Sequence, residues 1–462
     1  MATQPQRAVV MISIPKAVSR RNPPAGLMVR QVAAKLLSAI IDKKNSFDGL
    51  CDHERGHPQY LALSQADQAL CRAILQSALR HRAAISTLLA KFLVRPLPQN
   101  AHALKHILHI AAAQILYLNV PNHAALYLAV EAAKADPRCQ RFSGLINALL
   151  RKISQADPIA SQNFSHLPSW FTDFLIKDYG PERAKAIVKA QTKEACLDLS
   201  VKSNPALWAQ KLNGIVLANG SVRLQPQQRA VQELPGFSEG AWWVQDVAAA
   251  LPCLLLGDIA GKKVADLCAA PGGKTAQMVA MGGSVTAVDI SKNRLKRLEN
   301  NMKRLGFTVT LYERPLQAFA PPHLFDALLL DVPCSSTGTI RRHPDILWSK
   351  DAADIDKLSL LQYTLLNKAF DFLKPGGILV FSNCSLAKQE GEAVVEKLLD
   401  QRPDIMLSHV TPDELGDFSS LITPEGYVRT TPADLVLDQP NMSGMDGFFA
   451  ARLQKQPNAS VS

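Results

Sequence analysis

The first third of the chain repeats apolar residues three and four positions apart, which is the pattern of helices that bury one face. Ser64 followed by Asp67 is typical of a helix start, because a serine side chain can cap the free N–H groups of the first turn. The apolar face of the first predicted helix comprises Val29, Val32, Ala33, Leu36, Leu37 and Ile40. Later helices are predicted at Ala101–Leu118, Ala124–Ala135 and Arg141–Lys152. We therefore expect an all-α domain over residues 27–155.

After Gly261 the pattern changes to short apolar runs that alternate with helical stretches such as Lys292–Leu305. The predicted strands are Val264–Leu267, Ser284–Val288, Val309–Leu311, Ala327–Leu330, Ile378–Phe381 and Phe448–Arg452. Parallel strands joined by helices form a doubly wound α/β sheet, and we expect one over residues 246–455. Residues 156–245 mix helical stretches with a predicted strand at Leu197–Val201, so we expect a small α+β linker domain there.

The basic residues are concentrated at the front of the chain. The protein has 462 residues and a net charge of +11, and residues 1–155 hold 20 Lys and Arg against 7 Asp and Glu. That segment is therefore +13, which leaves −2 for the rest. A basic domain suits nucleic-acid binding, since neutralised phosphates release counterions, and a solvated basic surface is the alternative. No apolar run reaches the roughly 20 residues of a membrane helix, so no membrane partner is expected.

The first 26 residues are Pro-rich and carry four basic residues but no acidic one. This composition predicts a disordered basic tail over residues 1–26. An organelle transit peptide is the alternative, although four prolines oppose the amphipathic helix that such a peptide forms.

The cysteines and histidines show no complete metal-ligand pattern. The eight cysteines include no C-x-x-C pair, which indicates a reducing compartment, and we expect a cytoplasmic protein. His102, His106 and His109 lie four and then three residues apart, on one face of a predicted helix. Because no acid or cysteine accompanies them, we interpret them as ordinary histidines on the helix surface and predict no metal site.

Two cysteines follow predicted strands that are successive along the chain. Cys334 stands in the stretch DVPCS after Ala327–Leu330, and Cys384 stands in NCS after Ile378–Phe381. Open α/β sheets bind ligands at the carboxyl ends of their strands, so both thiols are expected at the ligand-binding edge. For either cysteine alone, an ordinary buried residue is the alternative.

A turn of small residues, CAAPGGK, connects the first strand of the predicted sheet to a helix. Small side chains let a ligand approach the backbone and the free N–H groups of a helix start. A phosphate-binding P-loop would need glycine where Cys268 stands. The second strand leads into Asp289, at the position where doubly wound nucleotide sites accept from ribose hydroxyls, and a helix cap is the alternative for this acid. Turn and acid together favour a nucleotide-like ligand.

These motifs resemble, in chain order, those of the Nop/Sun family of RNA cytosine-5 methyltransferases. The matching stretches are DLCAAPGGKT, AVDIS, LLLDVPCSSTGTIRRHPD, the NCS after the next strand and the final DGFF. The front of the chain, with VPNHAA and GLINALLR, resembles the NusB-like RNA-binding domain that precedes some bacterial members, the Sun/Fmu type. The resemblance covers residues 27–454.

The resemblance implies a Rossmann-like S-adenosylmethionine-dependent methyltransferase domain, preceded by an all-α NusB-like domain and a small α+β linker domain. The implied reaction is methylation of carbon 5 of a specific cytosine in small-subunit ribosomal RNA through a covalent cysteine adduct. A thiolate added to carbon 6 makes carbon 5 nucleophilic enough to accept a methyl group. The implied partner is ribosomal RNA and not DNA, and we expect a monomer.

The resemblance also implies roles for single residues. Attack is assigned to Cys384, release of the product to Cys334, and contact with cytosine nitrogen 3 to Asp331. The implied cofactor-binding residues are Cys268, Ala269, Ala270, Pro271, Gly272, Gly273, Lys274, Asp289 and Asp331. Arg341 and Arg342 are expected to hold substrate phosphates, since Arg side chains fit phosphate oxygens, and a solvated basic pair is the alternative.

Three positions depart from the family pattern. Asn383 stands where the family has Thr, and Val332 stands where it has Ala. The acid that reaches the adenosine after the third strand falls at or near Arg314, and a one-residue shift would put Glu313 in its place. This departure is the support for the alternative function, a non-catalytic RNA-binding factor with a vestigial cofactor site. DNA cytosine-5 methyltransferases have Pro-Cys-Gln instead of Pro-Cys-Ser, and amino-group methyltransferases have an Asp/Asn-Pro-Pro-aromatic turn, so both are disfavoured.

Overall fold

The computed structural model describes residues 24–157, 167–226 and 230–457. The predicted basic tail, except for its last three residues, lies outside these ranges. The helices are α1 Leu27–Lys43, α2 Phe47–Leu50, α3 Pro58–Leu61, α4 Gln65–Arg80, α5 Arg82–Phe92, α6 His102–Tyr117, α7 Asn122–Ala135, α8 Ser143–Ile153, α9 Ser169–Tyr179, α10 Pro181–Gln191, α11 Pro205–Leu212, α12 Val247–Leu254, α13 Gly273–Ala280, α14 Lys292–Leu305, α15 Ile346–Ser349, α16 Ala352–Ala369, α17 Glu392–Gln401 and α18 Pro412–Leu415. The strands are β1 Leu197–Val201, β2 Ile215–Val216, β3 Val222–Leu224, β4 Trp242–Val244, β5 Lys263–Leu267, β6 Ser284–Asp289, β7 Thr310–Glu313, β8 Phe325–Asp331, β9 Leu373–Asn383, β10 Ile405–Leu407, β11 Val428–Thr430 and β12 Phe448–Lys455.

Helices α1 to α8 form an all-α front around one apolar core, as predicted. Leu36, Leu37 and Ile40 of α1 are completely buried in that core, so the helical period places the apolar face correctly. Ser64 caps α4 by accepting from the N–H of Asp67 at 3.2 Å. Among the described residues, no helix is long and apolar enough to span a membrane.

The histidines of α6 do not all lie on the surface. His106 and His109 are 2% and 4% exposed, because α6 packs against its neighbouring helices on this side. Asp42 of α1 lies 2.8 Å from His106 Nε2 and 3.2 Å from His102 Nδ1, so a carboxylate that is distant in sequence accompanies two of the histidines. The interpretation as surface histidines is therefore wrong for His106 and His109.

The middle of the chain contains α9 to α11 and a four-stranded antiparallel sheet in the order β2-β3-β1-β4. Arg223 of β3 and Asp198 of β1 form a buried ion pair at 2.7 Å. Arg223 also donates to the carbonyl oxygens of Met442 and Gly444 at 2.8 and 2.6 Å. These bonds fasten the small sheet to a loop of the C-terminal half.

The C-terminal half is built on an eight-stranded sheet in the order β10-β12-β9-β8-β5-β6-β7, with β11 paired to β12. The five strands from β7 to β9 in this order are parallel, which confirms the predicted doubly wound arrangement. The last strand differs from the prediction, because β12 runs antiparallel to β9 and pairs with β10 and β11 in the same sense. The exact domain boundaries stay a prediction.

The helical front packs directly against residues 341–351, which follow the first cysteine motif. This segment includes the short helix α15 and is called the loop 341–351. Trp348 of this loop donates from Nε1 to the carbonyl oxygen of Leu79 at 3.0 Å. The backbone N–H of Phe47 donates to the Asp345 carboxylate at 3.0 Å, in a buried position. Because buried polar groups must be hydrogen-bonded, these contacts fix the loop against the front of the chain.

Candidate active site

Both thiols lie at the carboxyl ends of neighbouring strands, as the sequence pattern predicts. β8 and β9 pair in parallel up to Asp331 and Ser382, and the cysteines follow within three residues. The Sγ atoms of Cys334 and Cys384 are 3.4 Å apart, which is hydrogen-bonding distance for two sulfur atoms. The sheet therefore brings together two residues that are 50 positions apart in sequence.

A cavity of about 700 Å³ opens beside the thiols. Cys384 lines this cavity, whereas Cys334 is not among its lining residues. The predicted cofactor residues in its wall are Ala269, Ala270, Pro271, Gly273, Lys274 and Asp331. Six of the nine predicted cofactor residues and one of the two thiols thus share a single cavity.

The surroundings of the two thiols are electrostatically opposite. The hydrogen bond from Cys334 lowers the pKa of Cys384, burial opposes this effect, and the nearby charge of Lys274 adds to it. The same hydrogen bond, together with burial, raises the pKa of Cys334. Negative charge is therefore best placed on Cys384, the sulfur in the cavity wall, with Cys334 as the hydrogen-bond donor.

Lys274 and Asp331 form a partly buried ion pair beside Cys384. The distance from Lys274 Nζ to Asp331 Oδ2 is 2.7 Å, and the other carboxylate oxygen accepts from Ser382 Oγ at 2.9 Å. Lys274 also lies 4.7 Å from the centre of the Phe448 ring. Burial lowers the pKa of Lys274, but the Asp331 carboxylate more than offsets this effect and the pKa is raised. The ammonium group thus keeps its charge in the cavity wall.

The two glycines of the small-residue turn differ in backbone conformation and in surroundings. Gly272 has a φ of +103°, and a Cβ there would lie 2.6 Å from Leu298 Cγ on α14. Gly273 begins α13 and lines the cavity, and a Cβ there would meet no atom closer than 3.9 Å. Gly272 is therefore required for backbone conformation and packing, whereas Gly273 leaves open space at the cavity.

Cys268 and Asp289 lie outside the cavity wall. Cys268 packs against the sheet core, and burial raises its pKa to about 12. Asp289 accepts from the N–H of Ala270 at 3.1 Å and from the N–H of Ser291 at 2.8 Å, so its carboxylate holds the turn in place. It is not the cap of α14, which is Ser291. Both residues therefore lie on the side of the turn that faces away from the cavity, where Asp289 stabilises the turn and Cys268 packs against the sheet.

The two predicted phosphate-binding arginines have different surroundings. Arg341 is 2% exposed, and its Nη1 atom donates to the carbonyl oxygen of Ser443 at 3.5 Å. Residues of α10 and the segment around Gly444 lie beside this side chain, so its burial argues against a phosphate contact. Arg342 lines the cavity and donates from Nε to the Asp446 carboxylate at 2.9 Å.

Glu313 and Arg314, the candidates for the adenosine-contacting position, are both exposed at the end of β7. Glu313 is the register partner of Asp289 on the neighbouring strand. Neither residue is among those that line the cavity.

The helical front contributes cavity residues that the sequence did not reveal. Lys44, Ser46 and Asp48 line the same cavity as Cys384. Lys44 Nζ lies 2.7 Å from the Asp351 carboxylate, and Asp48 lies 3.0 Å from His343 Nδ1. No motif marks these residues, because only the packing of the front against the loop 341–351 brings them to the site.

The sequence of this chain matches two family models and many curated proteins. The family model described as 16S rRNA methyltransferase RsmB/F matches residues 254–454, and the NusB family model matches residues 28–155. A ribosomal RNA small subunit methyltransferase B from Klebsiella pneumoniae is 33% identical over 454 residues, which cover 93% of this chain and 99% of that protein. The protein of the same name from Escherichia fergusonii is 32% identical over 450 residues, with the same coverage.

Solved structures give the same picture of the fold. The crystal structure of PH0851 aligns with a TM-score of 0.70 at 22% identity, covering 94% of this chain and 99% of that one. A methyltransferase homolog from Pyrococcus horikoshii aligns with a TM-score of 0.51 at 28% identity, covering 62% of this chain and 95% of that one. With sequence similarity along nearly its whole length to the curated relatives, the chain belongs to the 16S rRNA methyltransferase RsmB/F family.

Proposed function

We propose that this protein methylates carbon 5 of a specific cytosine in small-subunit ribosomal RNA, with Cys384 as the attacking residue. The observation that carries the proposal is the pair of thiols 3.4 Å apart at the ends of β8 and β9, beside a cavity lined by the small-residue turn. The relatives named ribosomal RNA small subunit methyltransferase B support the choice of substrate.

The residues of the cavity suit S-adenosylmethionine, which supplies the methyl group when it is bound. Asp266 lines the cavity, and its Oδ1 atom is buried without a hydrogen-bond partner in the described structure. Its other oxygen accepts from Thr275 Oγ1 at 2.5 Å, and burial raises the pKa of Asp266 to about 7. A buried acceptor without a partner calls for a ligand donor such as an ammonium group. Ala269 to Lys274 would hold the ligand from the helix side, with Asp289 supporting the turn.

In the free enzyme the pKa of Cys384 is lowered. This favours attack by Cys384, because the thiolate is the nucleophilic form of cysteine. The sulfur of Cys384 adds to carbon 6 of the base, and carbon 5 then gains the nucleophilic character that accepts a methyl group. In this proposal Asp331 contacts nitrogen 3 of the cytosine and stabilises its protonated adduct. All of these roles follow from the family pattern, and the lowered pKa of Cys384 and the raised pKa of Cys334 support the assignment of the two thiols.

Release requires removal of the carbon 5 proton and expulsion of the Cys384 sulfur. In the free enzyme the two largest effects of Cys384 on Cys334, a hydrogen bond and a charge, both raise the pKa of Cys334. Both effects end when the Cys384 sulfur becomes a neutral thioether. Cys334 then loses its proton to solvent more readily, and its thiolate can take the proton from carbon 5. The carbon–sulfur bond breaks, and Cys384 leaves as a thiolate.

Transfer of tritium from labelled S-adenosylmethionine to small-subunit ribosomal RNA tests the proposal. Cys384→Ala should abolish transfer, because the attacking sulfur is removed. Cys334→Ser should allow attack and stall release, so a covalent protein–RNA complex should accumulate on denaturing gels. A covalent complex in the Cys384 variant would reverse the two roles. Absence of both transfer and cofactor binding by calorimetry in the unmodified protein would favour a non-catalytic RNA-binding factor.

We further infer that the protein acts as a monomer on RNA and not on DNA, in the cytoplasm. Support for the cytoplasm comes from the eight cysteines, which are all free, and support for RNA comes from the relatives named ribosomal RNA small subunit methyltransferase B. Light scattering after size-exclusion chromatography, and transfer assays with a DNA of matching sequence, test these points.

A further inference from the structure

The serines that directly follow the two cysteines contact each other in the protein interior. Ser335 and Ser385 are both completely buried. Their Oγ atoms lie 3.0 Å apart. The two segments that carry Cys334 and Cys384, called the cysteine loops, therefore contact each other one residue after each thiol. A contact between two hydroxyl groups alone is weak and leaves both free to rotate.

Glu390 holds this serine pair from the interior. Its side chain is completely buried, and its Oε1 atom accepts from the N–H of Ser335 and from Gln362 Nε2, both at 2.9 Å. Its Oε2 atom accepts from the Ser385 hydroxyl at 2.6 Å and from the Ser335 hydroxyl. A buried carboxylate is costly unless donors satisfy it, and here neutral donors from both cysteine loops do so.

Two further bonds lock the same arrangement. Gln362 also donates to the carbonyl oxygen of Pro333 at 3.0 Å, just before the first cysteine. Asn383 donates from Nδ2 to the backbone carbonyl of Glu390 at 2.6 Å and accepts from the N–H of Ser385 at 2.9 Å. The amide at position 383, which departs from the family pattern, therefore uses both its donor and its acceptor in this network.

We propose that Glu390 is a positioning residue that fixes both cysteine loops and thereby sets the contact between the two sulfur atoms. The inference rests on the proposed function for its role in catalysis, but the geometry it describes does not depend on RNA or cofactor. Glu390 touches neither thiol within hydrogen-bonding distance, so it acts through Ser335 and Ser385. Its negative charge also raises the pKa of Cys334, which keeps the proton on the donor side of the pair.

Glu390→Gln tests the arrangement with little change in volume. An amide has one acceptor oxygen and one donor NH₂ group, so it must present a donor to groups that are themselves donors. The loops should separate, and the hydrogen bond from Cys334 to Cys384 should weaken. Alkylation of Cys384 by iodoacetamide, mapped by mass spectrometry across a pH series, should then show a midpoint at higher pH than in the unmodified protein. In the methylation assay we expect kcat to fall about 10- to 100-fold while KM for S-adenosylmethionine is unchanged.

Glu414→Gln is the matched control, because Glu414 is a carboxylate of the same half of the protein that pairs with Arg452 and contacts neither cysteine loop. This variant should lose stability without moving the alkylation midpoint. An unchanged midpoint in Glu390→Gln would overturn the inference. If Glu390→Gln does not unfold cooperatively, Ser335→Ala and Ser385→Ala replace it in the alkylation experiment. The inference is then refuted if neither serine variant changes the pH midpoint of Cys384 alkylation. Because alkylation needs neither RNA nor cofactor, a failure of methylation in the unmodified protein would count against the proposed function alone.

Discussion

The two adjacent glycines at the start of α13, Gly272 and Gly273, offer a matched pair of substitutions with opposite expected effects. At Gly272 the backbone is in a left-handed conformation, and an added Cβ would lie 2.6 Å from Leu298 Cγ. At Gly273 an added Cβ would have no neighbour closer than 3.9 Å. Alanine should therefore strain the fold at the first position and fit at the second.

The magnitudes follow from the two kinds of strain. A left-handed backbone costs an alanine about 1–2 kcal/mol, and forced overpacking costs about 1–3 kcal/mol more. We expect Gly272→Ala to lower the free energy of unfolding by about 2–5 kcal/mol. Gly273→Ala should change it by less than about 1 kcal/mol. Urea unfolding followed by circular dichroism measures both, and a lower midpoint with an unchanged slope would identify a loss of stability.

The two substitutions should affect cofactor binding in the reverse order, with the larger loss in Gly273→Ala. Gly273 lines the cavity and Gly272 does not, so a methyl group at position 273 takes space that a ligand would use. Calorimetry should show at least about tenfold weaker binding of S-adenosylmethionine by Gly273→Ala, a loss of about 1.4 kcal/mol. Folded Gly272→Ala should bind more tightly than Gly273→Ala. Equal unfolding free energies for the two variants, or unimpaired binding by Gly273→Ala, would refute this account of the turn.

Further predictions concern RNA binding and acid stability. Lys44→Ala should weaken RNA binding and reduce the slope of log Kd against log salt by about 1, measured by filter binding at several salt concentrations, with cofactor affinity unchanged. Arg341→Met should leave that salt slope unchanged, because the Arg341 side chain is buried. A smaller slope in this variant would show that Arg341 does contact an RNA phosphate. The hydrogen bond from Arg452 lowers the pKa of Glu414 to about 2. A lowered carboxyl pKa adds stability above the ordinary value of about 4.3, and that stability is lost as the pH falls toward 2. Glu414→Gln should therefore flatten the acid limb of a plot of urea midpoint against pH, and an unchanged limb would contradict the assignment.

Local signals account for the elements that the sequence predicted well. The helix Lys292–Leu305 has the same bounds in prediction and structure, because Ser291 caps its start and Gly306 ends it with a φ of +66°. The strand Leu197–Val201 also agrees. The thiols could be placed together because parallel strands end on one edge of a sheet, whatever the exact length of each strand.

Long-range packing accounts for the contacts that the sequence did not predict. Asp42 meets His106 across 64 positions, and Lys44 reaches Asp351 across 307. The burial of Arg341 likewise depends on segments that are far away in sequence. Each of these outcomes is decided by how separately formed elements pack, and periodicity or capping within one element carries no information about it.

This long-range packing makes the helical front part of the cavity wall as well as the proposed RNA-binding module. The front supplies an N–H donor to Asp345 and a carbonyl acceptor to Trp348, so both side chains of the loop 341–351 would lose a partner without it. That loop carries Arg342 into the cavity that Cys384 lines. Removal of the whole front would therefore combine weaker RNA capture with a displaced cavity wall. Only single substitutions, such as Lys44→Ala at the exposed rim, can separate the two contributions.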